Sequence, residues 1–255
     1  MKEKFGHLLK EELINGRSLF DWLYMAFGIL LQVAAWVASY KINGQLEAPV
    51  YMIAGLAGVI GTILFAQGKI TAYLFGFINT LTYMFGCAWG AGFYAEFIED
   101  WMYLITMCIG LCTWFRMYRQ KSTNKSIEVK CRTLSWKGWL FTGSLFIIGV
   151  LIFWRVLVNM EFIFNRPDPK PFLDSITTVP AFIGQFLMIL GYAENWLYWL
   201  ILDVFSIILW WPEAGTGFTG SFSMMAMYFF FTLNTIYGFI KWVKSSRSQD
   251  YQTIQ

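Results

Sequence analysis

Long unbroken apolar blocks, rather than apolar stripes at helical spacing, run through this chain. A helix that is apolar all round needs lipid or protein on every side. A bilayer core of about 30 Å takes roughly 20 helical residues to cross. Eight segments fit that length, with loose ends, at about 20–40, 49–66, 70–90, 97–118, 137–158, 176–193, 195–211 and 221–243. The expected fold class is an all-α integral membrane protein with about eight transmembrane helices.

Composition agrees with the pattern. Of the 255 residues, 57% are hydrophobic and only 14% charged, against roughly 25% charged in soluble domains. The net charge of +3 is too small to point to a nucleic-acid partner. The four cysteines (Cys87, Cys108, Cys112 and Cys131) have neither zinc-site spacing nor a loop-borne disulfide pattern. The one histidine, His7, lies in the polar N-terminal stretch. Acid–base catalysis needs a positioned pair of groups, and no such pair stands out within the apolar blocks. The expectation is a protein without metal or cofactor that is not an enzyme.

Basic residues set the orientation. Cytoplasmic loops carry the Lys/Arg excess. With these spans, the N-terminal tail, the 67–69 turn, the 116–137 loop and the C-terminal end hold 15 of the 19 basic residues. The other side holds Lys41, Arg155, Arg166 and Lys170. Both termini are expected in the cytoplasm of a bacterial cell, beneath its inner membrane. Residues 1–19 lack the order of a cleavable signal peptide and are expected to form a tail or surface helix.

The chain also matches itself. A shift of 124 residues lays AGVIGTILFAQGKITAYLFGFIN (57–79) over AFIGQFLMILGYAENWLYWLILD (181–203) without a gap. A shift of 128 lays Thr106, Gly110 and Trp114 over Asn234, Gly238 and Trp242. The change of offset falls in WWPEAGTGFTG (210–220). One connecting helix between two three-helix units returns the second in the same orientation, a parallel repeat. The division expected is a tail (1–19), an extra transmembrane helix (20–47) and a first unit (48–118). A basic loop, connector helix and outer loop (119–175), a second unit (176–244) and a C-terminal tail (245–255) follow, giving a 3+1+3 arrangement after the extra helix.

Candidate chemistry concentrates on the seventh segment. At about 100° per residue, Trp196, Trp199 and Asp203 fall near 0°, 300° and 340°, on one narrow face. An ionisable group near mid-membrane calls for a polar cavity or a partner. Indoles beside a carboxylate suit a flat, electron-poor ring, although belt anchoring of the indoles and a helix–helix bond at Asp203 also fit. Gln185 and Asn234 offer amides, Tyr228 a phenol, and Asn79 is the repeat image of Asp203; each serves equally as a helix–helix contact. Glu96, Glu99 and Asp100 open the fourth segment, where acids favour the helix dipole; capping that faces solvent is the expectation, with an inward-reaching Asp100 as the alternative. Asp203 raises a further option, proton coupling, for which no second buried acid completes a relay in this reading.

The runs AENWLYWLILDVFSIILWW (193–211), GKITAYLFGFIN (68–79) and LNTIYGFIKW (233–242) resemble the nicotinamide riboside transporters of the PnuC family, over nearly all of residues 48–244. The resemblance implies a fold similar to SWEET sugar carriers and facilitated diffusion of nicotinamide riboside, trapped by phosphorylation in the cytoplasm. It also implies a homotrimer in the lipid bilayer. Trp196 and Trp199 match the family's paired substrate-binding tryptophans, Asp203 stands at a polar position, and Gln185 and Asn234 match amide positions. TMCIGLCTW (106–114) departs from the family by lacking an amide and extra aromatics. Related members serve thiamin or riboflavin, so those vitamins are the alternative substrates.

Overall fold

The computed structural model describes residues 12, 18–43, 47–120, 132–160, 168–212 and 221–253. Among them the chain forms α1 (Leu19–Asn43), α2 (Pro49–Ala66), α3 (Ala72–Tyr83) and α4 (Tyr94–Gln120). It continues as α5 (Trp136–Leu157), α6 (Pro171–Ile189), α7 (Asn195–Leu209) and α8 (Phe222–Thr253). A π-helical turn (Met84–Ala88) and a last short turn (Trp89–Ala91) extend α3. One isolated bridge, Arg132 to Tyr192, is the only β-type pairing among the described residues.

Local chemistry sets the ends. Pro49 and Pro171 sit in the first turns of α2 and α6, where the missing N–H costs nothing and the fixed φ suits a helix. Both helices stop at a left-handed glycine, Gly68 (φ 68°) and Gly191 (φ 79°). Beyond each, the next amide reaches back six residues inclusively, Lys69 N to Leu64 O at 2.9 Å and Tyr192 N to Leu187 O at 2.8 Å, as in a Schellman stop. These signals explain two shifts from the expected spans. The sixth helix starts at Pro171 rather than near 176, and it ends at Ile189 rather than near 193. The fourth starts at Tyr94 rather than near 97, and the eighth runs on past 243 to Thr253.

Among the described residues five helices are long and apolar enough to cross a membrane: Leu19–Tyr40, Pro49–Ala66, Trp136–Leu157, Pro171–Ile189 and Phe222–Lys244. The other three depart for identifiable reasons. α7 is apolar but has 15 residues, α3 is broken by its π turn, and α4 carries Glu96, Glu99 and Asp100.

Helix contacts close a ring in the order α2, α3, α4, α6, α7, α8 and back to α2. α1 packs outside it on α2 and α8, and α5 on α6. Burial separates the two classes: the apolar windows of α1 and α5 are 17% buried, that of α6 72%. The outward side chains of α5, such as Phe141 and Ile147, therefore suit lipid tails. Lys69, Arg132, Lys137 and Lys241 mark one end of the bundle, here the basic end. The opposite end gathers Glu47, Glu96, Asp168 and Asp174 and is the acidic end.

Three ring helices receive a carboxylate from elsewhere at their N-termini, where backbone N–H groups lack intrahelical partners. Glu47 accepts from Phe222 N (2.8 Å) and from the Ser221 hydroxyl (3.0 Å) at α8. Asp174 of α6 accepts from Ala95 N (3.1 Å) at α4. Glu12 accepts from Thr71 N (2.8 Å) ahead of α3. The first two lie at the acidic end and tie α8 and α4 across the ring's two seams, α2–α8 and α4–α6. Most of the expected tail, half of the basic loop and most of the 210–220 turn lie outside the described residues.

Candidate functional site

The ring encloses a cavity of about 140 Å³ reached by side chains from α2, α3, α4, α6, α7 and α8. Six of the residues singled out above line it: Trp196, Trp199, Asp203, Gln185, Tyr228 and Asn79. Asn234 does not. Its amide donates to the Thr62 hydroxyl (3.0 Å) and carbonyl (2.9 Å) on α2, and Thr235, the next residue, lines the cavity in its place.

α7 presents its face as the helical spacing requires. Glycines on neighbouring helices let the indoles come close. A Cβ at Gly238 would stand 2.7 Å from the Trp196 ring, and one at Gly184 3.2 Å from that of Trp199. Each indole has its own aromatic partner: Trp196 meets Trp242 edge-on (centroids 5.8 Å), and Trp199 lies 5.9 Å from Tyr103 at 37°. Trp196 is buried and its Nε1 has no hydrogen-bond partner. Asp203 Oδ2 accepts from the Thr235 hydroxyl at 2.7 Å, joining α7 to α8. Gln185 donates to Thr106 Oγ1 at 3.0 Å, joining α6 to α4. Asn79 donates to the Ala54 carbonyl at 2.9 Å and lies against Gly58.

The acids of α4 overturn the expectation of solvent-facing caps. Glu96, Glu99 and Asp100 are all buried and line the cavity. The carboxylate that α4's N-terminus needs comes from Asp174 instead, which leaves the helix's own acids to face inward. Tyr83 closes this end as a hub. Its hydroxyl donates to Glu96 and accepts from Trp210 Nε1 (2.9 Å) and the Tyr228 hydroxyl (3.0 Å). Groups from α3, α4 and α8, with Trp210 just past the end of α7, thus meet at one oxygen. Thr235, Tyr103, Tyr83, Thr62 and Thr80 are polar cavity groups that sequence reasoning passed over, and the α4 acids are ones it placed mainly at the helix cap.

With Asp203, four carboxyl groups line the cavity, and no Lys, Arg or His does among the described residues. Among the described residues no cluster of His, Cys, Asp and Glu has the spacing to hold a metal ion. The arrangement suits a small ligand with a flat ring, hydrogen-bonding groups and no negative charge.

Comparison with known proteins places this geometry. A family model described as "Nicotinamide mononucleotide transporter" matches residues 48–244. The nicotinamide riboside transporter PnuC of Haemophilus influenzae is 31% identical over 237 residues, covering 92% of this chain and 95% of that protein. The Neisseria mucosa protein of the same name is 27% identical, covering 96% and 90%. A crystal structure of the vitamin B3 transporter PnuC superposes with a TM-score of 0.77 at 23% identity, covering 95% of this chain and 98% of that one, and shows the same fold. A multi-pass helical ring around an acidic, indole-lined cavity, matched by this family over most of its length, establishes that the chain belongs to the PnuC family of membrane transporters.

Proposed function

We propose that this transporter takes up nicotinamide riboside, the substrate in the names of its relatives. The single observation that carries the reading is the cavity's charge: four carboxyl groups and no lining cation among the described residues. Nicotinamide riboside is a cation with a flat ring and a hydroxylated sugar. The family description names the mononucleotide, but its phosphate would enter a low-dielectric site lined with like charge, a costly position. The indoles and Tyr103 offer ring faces, and Asp203, Thr235 and Gln185 offer donors and acceptors for the amide and ribose. Asn234 takes a supporting part, holding α8 to α2.

In this reading the protein works by alternating access and facilitated diffusion, with the substrate retained inside by phosphorylation. The ring supports that mechanism: α2 lies on α8 and α6 on α4, so each three-helix unit meets the other along two equivalent seams and can rock about them. Opening the acidic end requires the Tyr83 hub and the Glu47 and Asp174 ties to part. The positive-inside rule puts that end outside the cell and both termini in the cytoplasm, in a bacterial inner membrane. A homotrimer, with lipid around it, is the assembly the family resemblance implies. Native mass measurement in detergent checks it.

Tryptophan-fluorescence and calorimetric titration with nicotinamide riboside, its 5′-phosphate, thiamin and riboflavin tests the substrate, followed by uptake into proteoliposomes. Saturable binding of the riboside over the phosphate supports the reading. Preference for thiamin or riboflavin replaces the substrate while keeping the transporter, and preference for the phosphate refutes the charge argument.

The structure also favours a second reading. Proton coupling through Asp203 needs further buried acids, and Glu96, Glu99 and Asp100 line the same cavity. Intramembrane carboxylates of this kind serve as relays in pumps and transporters. An imposed pH gradient would then drive riboside uptake into liposomes without a substrate gradient, and an unresponsive flux leaves facilitated diffusion.

A further inference from the structure

The cavity's carboxyl groups are not equivalent. Asp203 Oδ2 is engaged by the Thr235 hydroxyl at 2.7 Å, and Glu96 by the Tyr83 hydroxyl. Asp100, only 4% exposed, has an Oδ2 with no hydrogen-bond partner. Leaving such a group buried without a partner is costly, and a cation arriving beside it removes that cost. Glu99 precedes it on α4, its own Oε2 also without a hydrogen-bond partner, and Tyr103 follows one turn later. Tyr103 in turn pairs with Trp199 at 5.9 Å. The unengaged carboxylate and an aromatic surface are therefore presented together by α4 and α7. A ring slotted between two others needs about 7 Å between them, twice a carbon–carbon contact of about 3.5 Å. Tyr103 and Trp199 are too close for that, so a flat ligand lies on the pair rather than between its rings.

We infer that Asp100, backed by Glu99, is the counter-charge for a cationic heteroaromatic ring resting on Tyr103 and Trp199, and that Asp203 with Thr235 holds the uncharged, hydroxyl-bearing part of the ligand. The assignment rests on the riboside reading above and deepens it. It makes α4, rather than the tryptophan helix, the part that distinguishes a charged ring from a neutral one.

The test compares nicotinamide riboside with its 1,4-dihydro form, which has nearly the same size and shape but a neutral ring. Calorimetric titration gives a dissociation constant for each, and their ratio reports charge recognition alone. A general loss of folding or packing weakens both ligands and leaves the ratio in place. The parent protein is expected to favour the cation. Asp100→Asn is expected to reduce that preference about tenfold, equivalent to about 1.4 kcal/mol, and Asp203→Asn to weaken both ligands alike. Should Asp100→Asn not fold, Glu99→Gln gives the same readout with an expected loss of about threefold. A ratio that survives in the α4 variants, or one that collapses in Asp203→Asn, overturns the assignment while leaving the substrate intact. A parent that binds neither form refutes the riboside reading first, and this assignment with it.

Discussion

Gln185 donates its side-chain amide to Thr106 Oγ1 at 3.0 Å across the α4–α6 seam. On the α2–α8 seam, Asn234 donates to Thr62 Oγ1, also at 3.0 Å. The sequence offsets lay 61 over 185 and 106 over 234, so the second pair sits one residue along from the image of the first. Amide and hydroxyl have exchanged helices. The exchange supports treating the two seams as related, each closed by one buried amide–hydroxyl bond.

Removing the acceptor at the first seam gives a direct measure of that bond. Thr106→Val strands a buried amide, at a cost of about 1–3 kcal/mol. Thermal unfolding in detergent should fall accordingly. Gln185→Leu added to Thr106→Val should recover part of the loss, because an apolar pair leaves no group unsatisfied. Strict additivity of the two changes would show that the bond contributes nothing.

Thr235→Val keeps the side chain's shape and takes the donor from Asp203. Hydrogen bonds to charged groups contribute about 1.5–3 kcal/mol. Riboside affinity should drop by about tenfold or more, in line with that energy, since the orientation of the carboxylate is lost with its partner. Calorimetry showing unchanged affinity would remove Asp203 and Thr235 from the binding site.

Tyr83→Phe preserves the ring and deletes the oxygen on which Glu96, Trp210 and Tyr228 converge. The acidic end should then open more readily. A cysteine placed in the cavity should react faster with a membrane-impermeant thiol reagent from that side, in a background lacking Cys87, Cys108, Cys112 and Cys131. Equal labelling rates in parent and variant would show that the hub does not close the cavity.

Gly238→Ala puts a methyl group 2.7 Å from the Trp196 ring. Overpacking of this kind costs about 1–3 kcal/mol, and the indole is the mobile partner. Substrate quenching of tryptophan fluorescence should weaken in step with stability. Gly90→Ala, where an added Cβ meets nothing within 4 Å, is the control expected to leave both unchanged.

Much of the cavity wall is legible from spacing. Trp196, Trp199 and Asp203 share one narrow arc at about 100° per residue, and the structure lines the cavity with that arc. The same arithmetic on α8 could have separated Thr235 from Asn234. Counted from Tyr228, Thr235 and Gly238 fall at about 340° and 280° and Asn234 at about 240°, so the phenol's face continues through the threonine. Residue chemistry favoured the amide over the hydroxyl and outweighed the geometry. The α4 acids were obscured for another reason. Acids in a first helical turn usually serve their own helix, and here that service comes from Asp174, 79 positions away in the chain. No local pattern reveals such a substitution. The helix also carries acids near one end and basic residues near the other, which hides the face that its apolar residues would otherwise mark.

The tie from Asp174 to Ala95 has a consequence for how this family varies. The carboxylate grips main chain, so the bond itself asks only for an N–H at the receiving position, which bars proline, while the burial of Ala95 limits side-chain size independently of position 174. A change at 174 therefore has no compensating side chain to select at 95, and the two positions have no reason to co-vary. Coevolution between paired positions, which finds contacts by matched substitutions, would miss this tie, and the information for it resides in one residue alone.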